Sequence, residues 1–472
     1  MSKQMIDFDK FVNYSQLFNP LVGGAEKEAD TLRKEILTTD NTENYYEITG
    51  TKYYVSASGN DCNDGLSAET AFLTASKLDE LELKEGDAVL FERGSTFRLT
   101  HQIMASDGIT YGSYGNGKKP ELLGSPKNFA KNTKWLPAVG KNNVWWTSFP
   151  YQEAYNIVFE KGKYFGKLKG KGDTWCEEFQ FAHDLIAGVL YLYSEKGDPS
   201  TVYSDIEVCP SNVAFSIPFD ICNVTVDNLC IKYFAGGGVS GGARNNNISV
   251  TNCEIGFIGG VLARTLNVRM GNAVGMWAGN IDLCVDHNWI YQTFDTAISP
   301  QGRYGLDYKN ISFCDNLLEF NGVDFEWFDR AGAEFCGFKC DGNIMRFTSL
   351  GWGNRLDDAG IRGIEGCIRA YTVDQTFTNF SFKNNIIDCP GRQIINWLLP
   401  LKQLNEIHTE NNKVYVNAAY RKVFPNNPAF LIGLHETGSA NVNINATNQN
   451  ELEKIWKYFD TSTSSTVKWY DQ

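Results

Sequence analysis

Histidine is scarce in this chain of 472 residues: only His101, His183, His287, His408 and His435 are present, scattered along its length. No cluster of zinc-binding type is therefore evident. Basic residues are also in deficit, 43 Lys and Arg against 56 Asp and Glu, for a net charge of -13. Nucleic acids and anionic membranes reward basic surfaces, so neither is expected as a partner. The same deficit disfavours polyanionic sugars such as pectate and leaves neutral ligands. No run of 18 apolar residues exists, so no transmembrane helix is expected. The first twenty residues lack a basic segment followed by an apolar one. No signal peptide is visible, and a cytoplasmic location is the expectation. A G-x-S-x-G elbow, a P-loop and a dinucleotide fingerprint are absent too.

Twelve cysteines are present, but no CxxC pair. Cys230, Cys253, Cys284, Cys314 and Cys389 fall inside apolar strand patterns, which suits reduced, buried thiols packing as small hydrophobes. Hydrophobic residues make up 42% and aromatics 13%, ample for a large core. Gly 44 against Pro 13 points to many tight turns rather than disorder.

The middle of the chain repeats. "NVTVDNLCIKYF", "NISVTNCEIGFI", "DLCVDHNWIYQTF", "NISFCDNLLEF", "FKCDGNIMRF", "NFSFKNNIIDC" and "IHTENNKVYV" each place an Asn between two short apolar runs. Taking Asn228, Asn252, Asn288, Asn316, Asn343, Asn385 and Asn412 as anchors, the steps are 24, 36, 28, 27, 42 and 27 residues. Period-2 alternation over such short runs predicts strands. Asn at a corner can bond the coils above and below and tolerates left-handed geometry. The expected fold is all-β, a parallel β-solenoid, because one coil cannot bury its inner face alone and a stack can.

Five regions follow. Residues 1–45 form an N-terminal helical cap, with an amphipathic helix over 25–37 closing the N-terminal mouth. Residues 46–126 form the first coils. Residues 127–208, where "NVWWTSFP", "YNIVFEKGKYFGKLKG" and "GVLYLYSEKG" break the rhythm, form a β-rich insertion. The main β-helix covers 209–424 and a C-terminal cap 425–472, including "NELEKIWKYF" at 450–459. The Gly-rich run "GGGVSGGARNNN" (236–247) reads as a turn.

The segment "YYVSASGNDCNDGLSAETAFLTASKLDELELKEGDAVLFERGSTFR" (53–98) resembles the first coil of bacterial right-handed parallel β-helix proteins of the pectate-lyase-like superfamily. Later segments "GNAVGMW", "IYQTFDTAISPQG", "NGVDFEWF" and "LGWGNRLDDAG" resemble a carbohydrate-active, glycoside-hydrolase-like branch of it. The resemblance covers about residues 50–420 and implies the fold. Its chemistry stays open, since the superfamily includes hydrolases, lyases, epimerases and tailspikes.

The acids supply candidates. Asp295 lies seven residues after Asn288 and Asp324 eight after Asn316. With one residue inserted at the turn, they take equivalent places on successive coils, about 4.8 Å apart. Glu326 shares Asp324's face by alternation, while Phe325 and Trp327 point into the core, so the three acids are expected together on an outer patch. Asp329 lies past the strand and is a lesser candidate. Crowded carboxylates raise one another's pKa, and a glycosidase needs one protonated acid beside one ionised partner. A solvated acidic face is the plain alternative.

Long steps place loops beside the acids. Residues 350–366 offer Trp352, Arg355, Asp357, Asp358, Arg362 and Glu365; residues 261–277 offer Arg264, Arg269 and Trp277; Gln301 ends the run after Asp295. Trp352, between two glycines, suits either a ring stacking on sugar or a corner-filling core residue. Arg392, seven residues after Asn385, repeats the place of Asp295 and would orient a substrate group or pair with an acid. His287 at a strand corner reads as structural.

The leading expectation is a glycoside hydrolase of neutral oligosaccharides, exo-acting, using Asp295, Glu326 and Asp324. No cofactor is expected. A lyase or epimerase, with Ca²⁺ held by the acids and Arg355 or Arg362 as base, is the second reading. A non-catalytic carbohydrate-binding or tailspike-like protein is the third.

Overall fold

The computed structural model describes residues 21–169, 174–263, 268–329, 331–354, 366–370, 375–398, 401–422, 430–433 and 441–470. Three ten-stranded sheets run the length of the molecule, each coil giving one strand to each. One coil, for example, is Ile281–Asp286, Trp289–Thr293 and Thr296–Gly302; the next is Tyr308–Ser312, Leu317–Glu319 and Val323–Asp329. Pairing between these coils is parallel throughout. The third sheet ends on one antiparallel pair, Phe430–Gly433 with Asn441–Ile444. The chain is a right-handed parallel β-helix, the hand that parallel crossovers favour.

The interior is one continuous apolar core. In the third sheet, Phe215, Val239, Val274, Ile298, Phe325, Ile368 and Ile395 pair in sequence from coil to coil and all lie in that core. Such a column buries only what its neighbours above and below cover, which makes stacking itself the stabilising step.

The asparagine repeat resolves into two ladders. Asn288, Asn316, Asn343, Asn385 and Asn412 are buried, and each Nδ2 donates to the Oδ1 of the next at 3.1–3.3 Å. The ladder ends where Asn412 Nδ2 donates to Asp460 at 2.9 Å. Asn228 and Asn252 are not its lower rungs. They stand one place earlier, level with His287, Asp315, Asn384 and Asn411, all with φ between 53° and 59°. At that corner the backbone is left-handed, which Asn, Asp and His tolerate best. The residue that begins the buried ladder's column is Cys253, whose N–H donates to Asn288 Oδ1 at 2.9 Å.

The N-terminal helix is placed differently from the sequence expectation. Helix α1 (Glu26–Leu37) does not close the mouth; Ala25, Ala29 and Ile36 pack on Leu317, Ile344 and Ile386, outward residues of the second sheet. An apolar outer face of a sheet needs a cover, and an amphipathic helix supplies it. Phe72, Ala75 and Leu78, around the short turn Ala75–Glu80, instead join the core at the N-terminal end. At the other end, helix α2 (Gln449–Trp456) contributes Leu452, Ile455 and Trp456 to the core.

Residues 136–210 carry a five-stranded and a three-stranded sheet with a separate core built on Phe149, Phe159, Phe181 and Leu190. The Gly-rich run is a strand of the third sheet, Gly237–Gly241, rather than a turn. A Cβ on Gly238 would press on the Ala273 carbonyl of the next coil at 2.5 Å. All twelve cysteines are unpaired; Cys230, Cys253 and Cys389 are buried as expected of core thiols, whereas Cys284 and Cys314 are half-buried. Among the described residues, no helix is long and apolar enough to cross a membrane.

Candidate active site

Five strands of the third sheet build the site: β1 (Val274–Trp277), β2 (Thr296–Gly302), β3 (Val323–Asp329), β4 (Ile368–Ala370) and β5 (Ile395–Trp397). One step along from the apolar column, their outward residues form a polar row. Gly275 pairs with Ser299, Glu326 with Arg369, and Arg369 with Asn396. Ser299 and Glu326 are each one place beyond the paired Ile298 and Phe325, so the row runs unbroken.

Glu326 faces outward yet is only 3% exposed. Thr296 Oγ1 donates to its Oε2 at 3.4 Å, and Arg369 Nη1 lies 4.0 Å from the same oxygen. Asp295 is 5% exposed and its Oδ2 accepts from the Gly271 N–H at 3.4 Å. Since Thr296 follows Asp295 directly, that hydroxyl contact draws the Asp295 turn alongside Glu326.

The expected equivalence of Asp295 and Asp324 is corrected. Trp289 pairs with Leu317, but Thr296 pairs with Val323, so the turn between these sheets is one residue shorter in the second coil, not longer. Asp295 therefore stands beside Gly322, whose missing side chain lets the Asp295 carbonyl come close.

Nor do Asp324 and Glu326 share a face. Where the chain enters β3, Asp324 and Phe325 both turn inward before alternation resumes, as Ala297 and Ile298 or Cys367 and Ile368 do on the neighbouring coils. Asp324 is fully buried. It accepts from Asn321 Nδ2 at 3.1 Å and from Thr348 Oγ1, while the core thiol Cys367 reaches the same hydroxyl at 3.3 Å. Burial pushes its pKa up to about 8, against the pull of the Thr348 and Asn321 hydrogen bonds. Asp329 is buried as well and caps the Ala331 N–H at 2.7 Å.

Trp277 ends β1 opposite Gln301, which stands opposite Phe328. Both Trp277 and Gln301 are half-buried, and Gln301 Nε2 donates to Ser299 Oγ at 3.0 Å, beside the polar row. Trp352 is fully buried and is the corner-filling residue, not a stacking platform. Its ring centroid lies 5.2 Å from Phe165 of the insertion, 5.9 Å from Phe257 and 6.2 Å from Phe294. The glycines on either side serve that burial: a Cβ at Gly351 or Gly353 would collide with the carbonyls of Phe320 or Phe294.

Arg269 is a structural clamp. Fully buried, it donates to Gly260 O at 2.8 Å and to Tyr155 O and Asn156 Oδ1 at 2.5 Å each, joining insertion to solenoid. Arg392 stands three places before Ile395, as Asp295 stands three before Ile298, and is buried with its carbonyl accepting from Arg421. His287 Nδ1 bonds Asn252 Oδ1 at 2.7 Å within the corner ladder, a structural place. Arg264, Arg355, Asp357, Asp358, Arg362 and Glu365 lie outside the described residues. Among the described residues no group of three or more His, Cys, Asp or Glu is arranged to hold a metal ion, so the calcium alternative finds no ligand set there.

Sequence reasoning missed Arg369, Thr296 and Asn396. Arg369 sits in a strand of three residues inside the longest step, where only the register against β3 brings it to Glu326.

No protein-family model matches the chain, and no curated protein matches it. Among solved structures the chain is similar to a complex of XylC with xylose, with a TM-score of 0.43 and 11% identity over 89% of this chain and 83% of that one. It is also similar to a structure described as a glycoside hydrolase, at 0.40 and 9% over 78% and 93%. A third is the pectate lyase Pel9A, at 0.36 and 10% over 80% and 72%. Likenesses of this size assign neither a reaction nor a substrate.

Proposed function

We propose that the protein is a glycoside hydrolase of neutral oligosaccharides in which Asp295 and Glu326 form the working pair of carboxylates. The observation that carries this reading is the pair itself: two acids at the third sheet, 5% and 3% exposed, with Thr296, the residue next to Asp295, donating its hydroxyl to Glu326. Carboxylates on a solvated face have no reason to be so enclosed, because removing them from water is costly. Glycosidic cleavage needs one carboxylic acid to protonate the leaving oxygen and a second carboxylate as nucleophile or base. The guanidinium of Arg369 favours an ionised neighbour, which gives Glu326 the nucleophile-or-base role and Asp295 the acid role. Trp277 and Gln301 flank the row and would meet sugar rings beside it. A net charge of -13 favours neutral over anionic chains.

Arg369 is also the observation that favours a second reading, a lyase or epimerase, since a guanidinium beside an acid suits a uronate carboxylate.

Hydrolysis of a panel of aryl glycosides and neutral oligosaccharides, followed by anomer-resolved product analysis, tests the first reading. Asp295→Asn and Glu326→Gln should each lower kcat/KM by about a hundredfold or more with melting temperature held. If neither lowers hydrolysis, the pair is wrongly chosen. An unsaturated product absorbing in the ultraviolet would favour the second reading.

A further inference from the structure

Asp324 is the acid closest in sequence to Glu326, yet it touches nothing on the outside. Its hydrogen bonds instead connect three coils. One carboxyl oxygen accepts from Asn321 Nδ2 at 3.1 Å, and Asn321 Oδ1 in turn accepts the Thr293 N–H at 3.0 Å. Gly322 N donates to Thr293 O at 3.0 Å and Val323 N to Asp295 O at 2.9 Å. Residues 321–323 therefore grip both ends of the short turn from Thr293 to Asp295, and Asp324 holds Asn321 in that grip. Its other oxygen bonds Thr348 on the following coil. There, Ser349 N donates to Asn321 O at 2.7 Å and Ser349 Oγ to Gly322 O at 2.9 Å. The Cys367 thiol closes the cluster against Thr348 at 3.3 Å.

We propose that Asp324 is a positioning residue: it ties Asn321 to Thr348 and thereby fixes the turn that carries Asp295 relative to the strand that carries Glu326. The inference rests on the Asp295/Glu326 reading and removes Asp324 from the reacting groups. A fully enclosed polar network specifies one geometry, because each member costs free energy unless all are satisfied. Misplacing a reacting group by about 1 Å can cost about a hundredfold in rate, so a residue that never meets substrate can still control kcat.

The chemistry of the cluster suggests a discriminating substitution. The carboxyl accepts from Asn321 Nδ2 on one oxygen and from the Thr348 hydroxyl on the other. A carboxamide of the same shape keeps both contacts, its oxygen accepting from Asn321 and its NH2 donating to the Thr348 hydroxyl once that hydroxyl rotates to accept. A leucine keeps neither.

The test compares Asp324→Asn and Asp324→Leu with Asp295→Asn and Glu326→Gln, using the aryl glycoside that the wild-type protein hydrolyses fastest. Circular dichroism at the assay temperature confirms folding. The amide variant should rescue, keeping kcat/KM within about threefold of wild type. The leucine variant should lower kcat by about thirtyfold or more with KM within about threefold. Thr348→Val, which removes the far bond and the Cys367 contact but leaves Asp324 on Asn321, provides a milder variant should leucine unfold the chain, and its kcat should fall by about fivefold. If Asp324→Asn loses as much activity as Glu326→Gln, then Asp324 does acid–base chemistry itself and the inference is overturned. If Asp324→Leu or Thr348→Val folds and keeps full kcat, the network serves only stability, which overturns it equally. Full activity in both Asp295→Asn and Glu326→Gln would sink the underlying reading instead, whatever Asp324 does.

Discussion

Arg369 stands beside Glu326 on the neighbouring coil, Nη1 and Oε2 4.0 Å apart, with both side chains largely withdrawn from water. A buried charge that loses its counter-charge is strongly destabilising, whereas losing both members together costs less. The double variant Glu326→Gln/Arg369→Met should therefore lose less stability than the sum of the losses in the two single variants. A coupling of about 1 kcal/mol is expected, within the usual range for residues in contact. Denaturant unfolding of the four members of the cycle measures it; strictly additive changes would mean the two charges do not interact.

Asp324 should leave a signature in the pH dependence of stability. In the folded chain it holds its proton up to about pH 8, whereas an unfolded Asp loses it near about 4. Between those values unfolding releases a proton. Stability from this group is thus fully present at low pH, falls as pH rises from about 4 to about 8, and is constant above. Asp324→Asn cannot titrate, so its melting temperature should gain on wild type across that window. The slope should approach about 1.4 kcal/mol per pH unit. Parallel curves from pH 5 to 8 would show that Asp324 is already ionised.

Helix α1 is held by charge as well as by apolar contact. Arg346, buried, pairs with Asp388 at 2.8 Å, Glu319 at 3.0 Å and Glu26 of the helix at 2.6 Å. Asp388 also accepts the N–H groups of Gly24 and Ala25 at 2.7 and 3.2 Å, satisfying donors at the helix start. Arg346→Met leaves three carboxylates without their shared cation, a loss of about 3–5 kcal/mol. The helix should then separate from the second sheet before the solenoid melts. Limited proteolysis should cut near residues 38–44 in the variant and spare wild type; equal resistance would show that the apolar contacts of Ala29 and Ile36 and the Arg33–Glu319 pair at 2.8 Å suffice.

How far the sequence could be read depended on whether a feature repeats along the chain. The solenoid was legible because every coil must place one hydrogen-bonding residue at the same corner, and Asn316, Asn343 and Asn385 record that need. Strict alternation put Asp324 outside, because the two successive inward residues at the entry to each third-sheet strand, such as Ala297 and Ile298 or Cys367 and Ile368, share no residue type that would announce them. Trp352 was ambiguous for a related reason. Its flanking glycines signal close approach as readily as exposure, and here they bring backbone against backbone. The docking site of α1 was illegible because Leu317, Ile344 and Ile386 look like core residues in one dimension, and which way a sheet faces is settled by its register. Arg369 reached the site through pairing across a 43-residue offset from Glu326, invisible to any local pattern.

The buried ladder yields the prediction that separates it from ordinary surface asparagines. Asn343 Nδ2 donates to Phe313 O at 2.8 Å and to Asn385 Oδ1 at 3.1 Å, and its Oδ1 accepts from Asn316 N at 3.0 Å and Asn316 Nδ2 at 3.1 Å. Asn343→Ala leaves the Asn316 N–H and the Phe313 carbonyl without these partners inside the core. Each stranded buried group costs about 1–3 kcal/mol, so a total of about 3–5 kcal/mol is expected. Asn247 also bonds an asparagine one coil away, Asn223 at 2.8 Å, but in the open. Water replaces that bond, and Asn247→Ala should cost less than about 1 kcal/mol. Urea unfolding of the two variants gives the comparison. Equal losses at the two sites would mean that coil stacking, not the internal amide ladder, sets the stability of the corner.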